Sequence, residues 1–373
     1  MGKAEAFKLV QYNMLTISGT MDTWTYVRLP YIETVLNALN PDVLVAQEIM
    51  DEEGAQLILD ILQDMDPDYE MADFIDGPDT DNMLFYRSSL FTLTGQSVVE
   101  TELRDIGEYV IETCGNTMYI FSAHLKASSG WSNMMQRSRE AQELRDRLEL
   151  FPDGTDYIVC GDMNFYGISE PAWDVFTESG DGQLLDPIDT PAEWHENEYY
   201  AWIHTQSPRT TDFWGGSTGG MDDRFDFIFL SPTLMDGADV DYIDDSYEVY
   251  GNDGRHFNLA ISSYPTIPEG ATIAEGLHSA SDHLPVVCLI DAPALSIKET
   301  AQEQSHFAIY PNPFNSVCSI SGATGNVSIF DVSGKLIARQ DGNTRWNPSN
   351  SLPSGIYTFT DEAGQSLRAV LVR

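Results

Sequence analysis

Between Phe7 and Ile290, short β-branched and aromatic runs alternate with stretches whose apolar positions recur every three or four residues, the pattern of a mixed α/β domain. The runs at 7–12, 42–47, 69–74, 82–87, 109–112, 117–125, 156–160, 225–230 and 284–290 read as strands. Two helices stand out. In the first, Pro30 suits the opening turn, Ile32, Val35, Leu36 and Leu39 share one face, and Asn40-Pro41 stops it. The second covers about 133–149, with Ala141, Leu144 and Leu148 facing inward and Arg137, Arg139, Glu140 and Arg145 assigned to water. Residues 187–222, rich in Trp, Tyr and paired glycines, show little periodicity and read as a large loop over one end of the domain, where binding residues collect. Beyond Asp291 the texture changes. Residues 292–305 fit a linker, and 306–373 carry short alternating strands with Gly and Pro turns, a small all-β module. The expected organisation is therefore 1–291, 292–305 and 306–373.

A chain of 373 residues that is 42% hydrophobic has ample material for a core. Its 59 acidic against 19 basic residues, a net charge of -40, exclude a generic polyanion-binding surface. Such self-repulsion is screened when the Debye length shrinks to about 3 Å near 1 M salt, so the expectation is a salt-adapted or acidic secreted protein. Cys114, Cys160, Cys288 and Cys318 lack zinc-like spacing; three lie in apolar runs as core thiols, and any disulfide pairing is open. No apolar run approaches the roughly 18 residues a membrane helix needs, and the start lacks a signal-peptide core, so an exported chain is expected to have lost its leader before this numbering.

The candidate chemistry gathers at strand ends. KLVQYNM ends at Asn13, DVLVAQE at Gln47 and Glu48, and YIVCGDMN at Gly161, Asp162 and Asn164. Unpartnered buried carboxylates cost several kcal/mol, so several buried strands finishing in acids or amides point to one shared site compensated by a divalent cation. In MYIFSAHLKA, alternation puts Ser122, His124 and Lys126 on one face. In DDRFDFIFL, Asp226 lies opposite Phe225, Phe227 and Phe229 and needs a partner, either Arg224 beside it or a histidine. SASDHLPVVCLI sets Asp282 and His283 at the mouth of another buried strand.

The ordered set YNM at 12–14, QE at 47–48, HLKA at 124–127, GDMN at 161–164, RFDFIFLS at 224–231 and SDHLPV at 281–286 resembles the endonuclease/exonuclease/phosphatase, DNase I-like, superfamily. The resemblance implies an α/β fold, a four-layer β-sandwich flanked by helices. It also implies a Mg²⁺ or Mn²⁺ site at one rim, with Ca²⁺ as an optional structural ion. By the family pattern, Glu48, Asn13 and Asp282 serve the metal and Asp162 orients or deprotonates the attacking water. Asn164 binds a phosphoryl oxygen, Asp226 fixes the tautomer of His283 against the phosphate, and His124 donates to phosphate or leaving group. Lys126, Arg137 and Arg139 are the expected substrate-binding cations, more like extracellular nucleases than lipid enzymes. The expected activity is that of a nuclease on DNA or RNA; the alternative is a phosphodiesterase or phosphatase acting on a lipid head group or a small phosphorylated molecule. YPNPFN at 310–315, VSIFDVSGKLI at 327–337 and LPSGIYTF at 352–359 are similar to the sorting domain of type IX secretion in Gram-negative bacteria. That implies the type IX machinery as partner and a secreted or surface-bound enzyme, expected as a monomer without membrane insertion.

Overall fold

The computed structural model describes residues 5–20, 23–293 and 307–373, and the chain divides into two compact units, Met1–Leu295 and Ser296–Arg373. In chain order the first unit contains β1 (Glu5–Ile17), α1 (Thr23–Leu39), β2 (Val43–Ile49), α2 (Glu52–Met65), β3 (Tyr69–Met71), β4 (Asp81–Arg87), β5 (Thr92–Val99) and β6 (Ile106–Thr113). It continues with β7 (Asn116–His124), α3 (Trp131–Leu148), β8 (Tyr157–Asp162), α4 (Pro171–Thr177), β9 (Asp226–Leu230), β10 (Asp241–Tyr242), β11 (Glu248–Val249), α5 (Ala271–Ala280) and β12 (Val286–Ala292).

Two sheets result. One has the order β10-β12-β1-β2-β4-β3, with β11 also on β12; the other runs β5-β6-β7-β8-β9. Each holds one parallel pair, β1 with β2 and β7 with β8, flanked by antiparallel strands. Strand alternation sorts the second sheet: Ile120, Ile158, Cys160 and Ile228 join the core shared with Leu9, Val45 and Leu84 of the first sheet. Phe121, Val159, Phe227 and Phe229 face the opposite way, under Leu144 of α3 and Trp173 and Phe176 of α4. The outer face of the first sheet packs under α1, α2 and α5 through Ile32, Val35, Ile58, Leu62 and Leu277. This is the expected four-layer arrangement.

Two helix expectations are corrected. α1 begins at Thr23, so Pro30 lies inside it instead of opening it. A proline there forfeits one helical hydrogen bond, and tertiary anchoring of the preceding turn outweighs that loss. Thr25 Oγ1 accepts from Ser18 N at 3.1 Å, and buried Arg28 donates to the carbonyls of Met14, Leu15 and Ala280. In α3, Arg137, Glu140 and Arg145 are buried instead of wet, and of these four expected surface residues Arg139 alone is exposed. Their charged ends clamp other elements: Arg145 Nη1 donates to the carbonyls of Val175 and Glu178 at 3.0 and 3.1 Å, and Glu140 accepts from Lys126 N at 2.8 Å. Period alone assigns a long charged side chain to water, but an aliphatic stem with a satisfied head can sit inside.

The second unit is all-β, with β13 (Ala308–Tyr310), β14 (Cys318–Ser321), β15 (Asn326–Phe330), β16 (Leu336–Asp341), β17 (Arg345–Trp346), β18 (Gly355–Thr360) and β19 (Ser366–Leu371). They form sheets β13-β14-β17 and β16-β15-β18-β19 around Phe314, Val327, Ile329, Trp346 and Phe359. The expected linker lies outside the described residues apart from 292 and 293, and Ala292 closes β12. Cys160, Cys288 and Cys318 are buried and Cys114 is exposed, all four as free thiols.

Candidate active site

The carboxyl ends of the two parallel pairs and the amino ends of β9 and β12 meet at one rim. Asn13 pairs with Gln47 across β1 and β2; His124, Asp162 and Asp226 stand abreast on β7, β8 and β9. Alternation turns these three toward the inner face, in phase with Ile120, Cys160 and Ile228. Gly161 permits the approach of β7 to β8. Its φ is +143°, and a Cβ there would stand 1.8 Å from the Ala123 carbonyl oxygen. β12 is preceded by Ser281, whose hydroxyl donates to the Asn13 carbonyl at 2.6 Å and so docks Asp282 and His283 against the end of β1.

Asp226 is completely buried. Its Oδ2 lies 2.7 Å from His283 Nδ1, and its Oδ1 accepts from Gln11 Nε2 at 2.9 Å. Arg224, the neighbouring alternative, instead forms a two-pronged pair with Asp186 at 2.8 Å on both contacts and lies over the Phe227 ring. β9 starts at Asp226, so strand alternation does not reach Arg224. Burial lowers the pKa of His283, but the carboxylates of Asp226, Asp162 and Asp282 outweigh it and hold the imidazole well above its ordinary value.

Asp162 Oδ2 accepts from Asn13 Nδ2 at 3.1 Å and lies 3.5 Å from His124 Nε2 and 3.6 Å from His283 Nε2. Burial, with the charges of Asp226 and Glu48, pushes its carboxyl up to about 7 against the opposing pull of His283. His124 goes the other way: burial, then the charges of Arg104, His283 and Lys126, keeps it neutral well below its ordinary range. Asn164, at φ +52°, donates its backbone N–H to Asp162 Oδ1 and an amide proton to the Leu125 carbonyl. Glu48, at φ +63°, accepts from Asn13 Nδ2 at 3.1 Å and from Thr16 N at 3.0 Å. Burial and the Asp282 carboxylate both raise its pKa.

Among the described residues, no group of three or more His, Cys, Asp or Glu is arranged to hold a metal by itself. The donors at the rim nonetheless fit a hard cation. Mg²⁺ is commonly bound through one or two carboxylates plus water and substrate oxygens. Glu48 and Asp282 repel one another, and Asp282 Oδ1 is buried with no hydrogen-bond partner while Oδ2 accepts from Ser217 N at 2.5 Å. A cation between these oxygens would offset both penalties.

The expected substrate cations are dispersed. β7 ends at His124, so alternation does not carry Lys126 onto its face, and Lys126 Nζ donates to the Ala127 carbonyl at 3.0 Å. Arg137 is fully buried, bound to Glu170 at 2.6 and 3.1 Å and to the carbonyls of Lys126 and Ser128, so it is a strut of the fold instead of a substrate contact. Arg139 is exposed but paired in a fork with Glu102 at 2.9 Å. Conversely, sequence reasoning missed the polar ladder beneath the site. Gln11 Nε2 also donates to Gln47 Oε1 at 2.8 Å, Gln47 Nε2 to Ser122 Oγ at 3.0 Å, and Ser122 Oγ to Asn82 Oδ1 at 2.8 Å. A glutamine amid the apolar run KLVQY was its available signal. Gln206, whose amide lies 2.6 Å from His283 Nε2, comes from the long loop expected to collect binding residues, where no motif singles it out.

The two-sheet sandwich thus carries acids, amides and histidines together at one rim. Residues 10–283 match the Endonuclease/Exonuclease/phosphatase family, and the chain belongs to it. Residues 308–371 match the Secretion system C-terminal sorting domain. No curated protein matches the chain by sequence. Among solved structures, the chain is similar to D. rerio TDP2 complexed with single strand DNA product, at 15% identity and TM-score 0.52, covering 77% of this chain and 99% of that one. It is also similar to an endonuclease/exonuclease/phosphatase family protein from Bacteroides thetaiotaomicron, at 18% identity and TM-score 0.51, covering 78% and 98%.

Proposed function

We propose that this protein is an exported, divalent-metal-dependent phosphodiester hydrolase whose favoured substrate is nucleic acid. The observation that carries this reading is the alignment of His124, Asp162 and Asp226 across three strands, facing His283 and the Asn13–Glu48 pair. Asp162, titrating near neutrality, suits the role of accepting a proton from an attacking water. His283, held by Asp226 through Nδ1 and by the Gln206 amide at Nε2, brings positive charge close to where negative charge grows on the phosphoryl oxygens. His124, neutral, supplies one N–H donor for a phosphoryl or leaving oxygen, and Asn164 has a second amide proton for the same use. Mg²⁺ or Mn²⁺ held by Glu48, with Asn13 and Asp282, would supply Lewis-acid polarisation of the phosphate. Water oxygen adds to phosphorus, the ester P–O bond breaks and the departing oxygen is protonated, giving a phosphomonoester and an alcohol.

A second reading, a phosphatase or phosphodiesterase on a small phosphorylated molecule or lipid head group, is favoured by one observation. Burial of Arg137 and pairing of Arg139 remove two of the three cations expected to follow a long polyanion. Turnover of bis-p-nitrophenyl phosphate with Mg²⁺ or Mn²⁺, abolished by EDTA, tests the common chemistry; DNA, sphingomyelin and inositol phosphates then separate the readings. Glu48→Gln should lower turnover by at least a hundredfold with little change in melting temperature, because it removes a ligand charge from a hard-cation site while relieving repulsion with Asp282. Full activity in EDTA would sink the metal assignment. The sorting domain supports export through type IX secretion to the surface or medium.

A further inference from the structure

We propose that Trp24 and Trp214 form a stacking platform for a base of a single-stranded nucleic acid next to the hydrolytic site. The proposal rests on the hydrolase reading and extends it to the substrate class. The two rings pack at 4.4 Å between centroids, tilted by 52°, and each remains about two-fifths exposed, at 42% and 41%. That spacing admits no ring between them, so a base would lie on an outer face. Their backbones are tied to the two segments that hold the rim carboxylates. Trp24 precedes Thr25 and Arg28, which bind the Thr16–Ser18 stretch whose Thr16 N–H holds Glu48. Trp214 precedes Gly216 and Ser217, which lie against Asp282; a Cβ on Gly216 would stand 2.7 Å from Asp282 Oδ2.

Trp214 also has φ +62°, an outlier for a bulky residue. The strain is enforced by neighbours: buried Arg209 donates from Nη1 to the carbonyls of Phe213 and Gly215 at 2.6 and 3.3 Å, and Gly215 N donates to Asp212 Oδ1 at 3.1 Å. Strain held in place by surrounding contacts, with an indole left open beside a site, marks a residue presented for use. Charge decides what it is used for. A chain at -40 gains little from phosphate neutralisation, on which most nucleic-acid affinity depends. Base stacking on an aromatic face adds affinity that does not come from phosphate neutralisation and tolerates any sequence. Phe213 packs edge-on against Trp214 at 6.1 Å, so the two indoles are the exposed end of a small aromatic cluster.

The test is equilibrium binding, by fluorescence anisotropy, of a labelled single-stranded oligodeoxynucleotide and of the same strand made abasic. The wild-type protein should bind the intact strand about tenfold more tightly than the abasic one. Trp214→Ala should lose that difference by weakening the intact strand alone, and Trp214→Phe should recover most of it. Equal wild-type affinity for both strands, or unchanged affinity of Trp214→Ala for the intact strand, would overturn the platform. Because the abasic comparison uses the wild-type protein, misfolding of a variant does not blur the answer. Failure of the hydrolase reading is seen separately, as no metal-dependent turnover of bis-p-nitrophenyl phosphate.

Discussion

Asp226 divides its two oxygens between Gln11 and His283. In Asp226→Asn, an amide retains the oxygen for Gln11 but no longer stabilises a charged imidazole, and His283 escapes an unpaired buried charge by losing its proton. The expected result is a drop in kcat of roughly a hundredfold or more with little change in KM, since the lost interaction matters most as phosphoryl charge develops. A destabilised variant with normal kcat would remove Asp226 from the mechanism. The same residue shows what strand alternation leaves open: it turns Asp226 inward yet is silent on which of two neighbours meets it.

At the scale of elements, α2 illustrates how a cap joins two segments. Its N-cap Asp51 accepts from Gly54 N at 2.6 Å and reaches back to Gly19 N at 2.8 Å, Ser18 Oγ at 2.5 Å and Thr20 Oγ1 at 2.8 Å. Burial raises the carboxyl, but these hydrogen bonds together outweigh it and bring it down to about 2. Because the folded value lies below the ordinary one, the stabilisation is present above about pH 4 and disappears as the pH falls through 2. Asp51→Ala should therefore lose about 1–2 kcal/mol at neutral pH, seen as a melting point lower by a few degrees, with the gap to wild type closing between pH 4 and 2. A constant gap over that range would show that the charge contributes nothing. Neither α2 nor β5 was read from the sequence; β5 is an edge strand whose eight residues are all exposed or half-exposed, so it lacks a strong apolar alternation.

For the whole molecule, charge and modularity make separate demands. With a net charge of -40, raising NaCl from 0.1 to 1 M shortens the Debye length from about 10 to 3 Å and should raise the melting temperature by several degrees. A flat or falling midpoint would argue against salt adaptation. The two compact units have their own cores, and every rim residue comes from the first. A chain ended after residue 294 should keep wild-type kcat and KM toward bis-p-nitrophenyl phosphate; loss of activity in a folded truncation would make the C-terminal unit part of the catalytic one.

Period and order along the chain determined the α/β class, the shared face of Ser122 and His124, the side of Asp226 opposite Phe227 and Phe229, the acid and amide strand ends, the buried thiols and the all-β C-terminal unit. Those features depend on a residue's neighbours within a few positions, where strand and helix geometry leave few choices. The tertiary structure alone decided the partners. Arg224 turned to Asp186, 38 residues away; Arg137 was buried because Glu170 arrives from the N-cap of α4; Gln11 met an Asp226 that is 215 residues distant. Such pairs are fixed by how two sheets and their covering helices pack. A charge whose partner is brought by packing goes inside, whereas local pattern can only assign it to water.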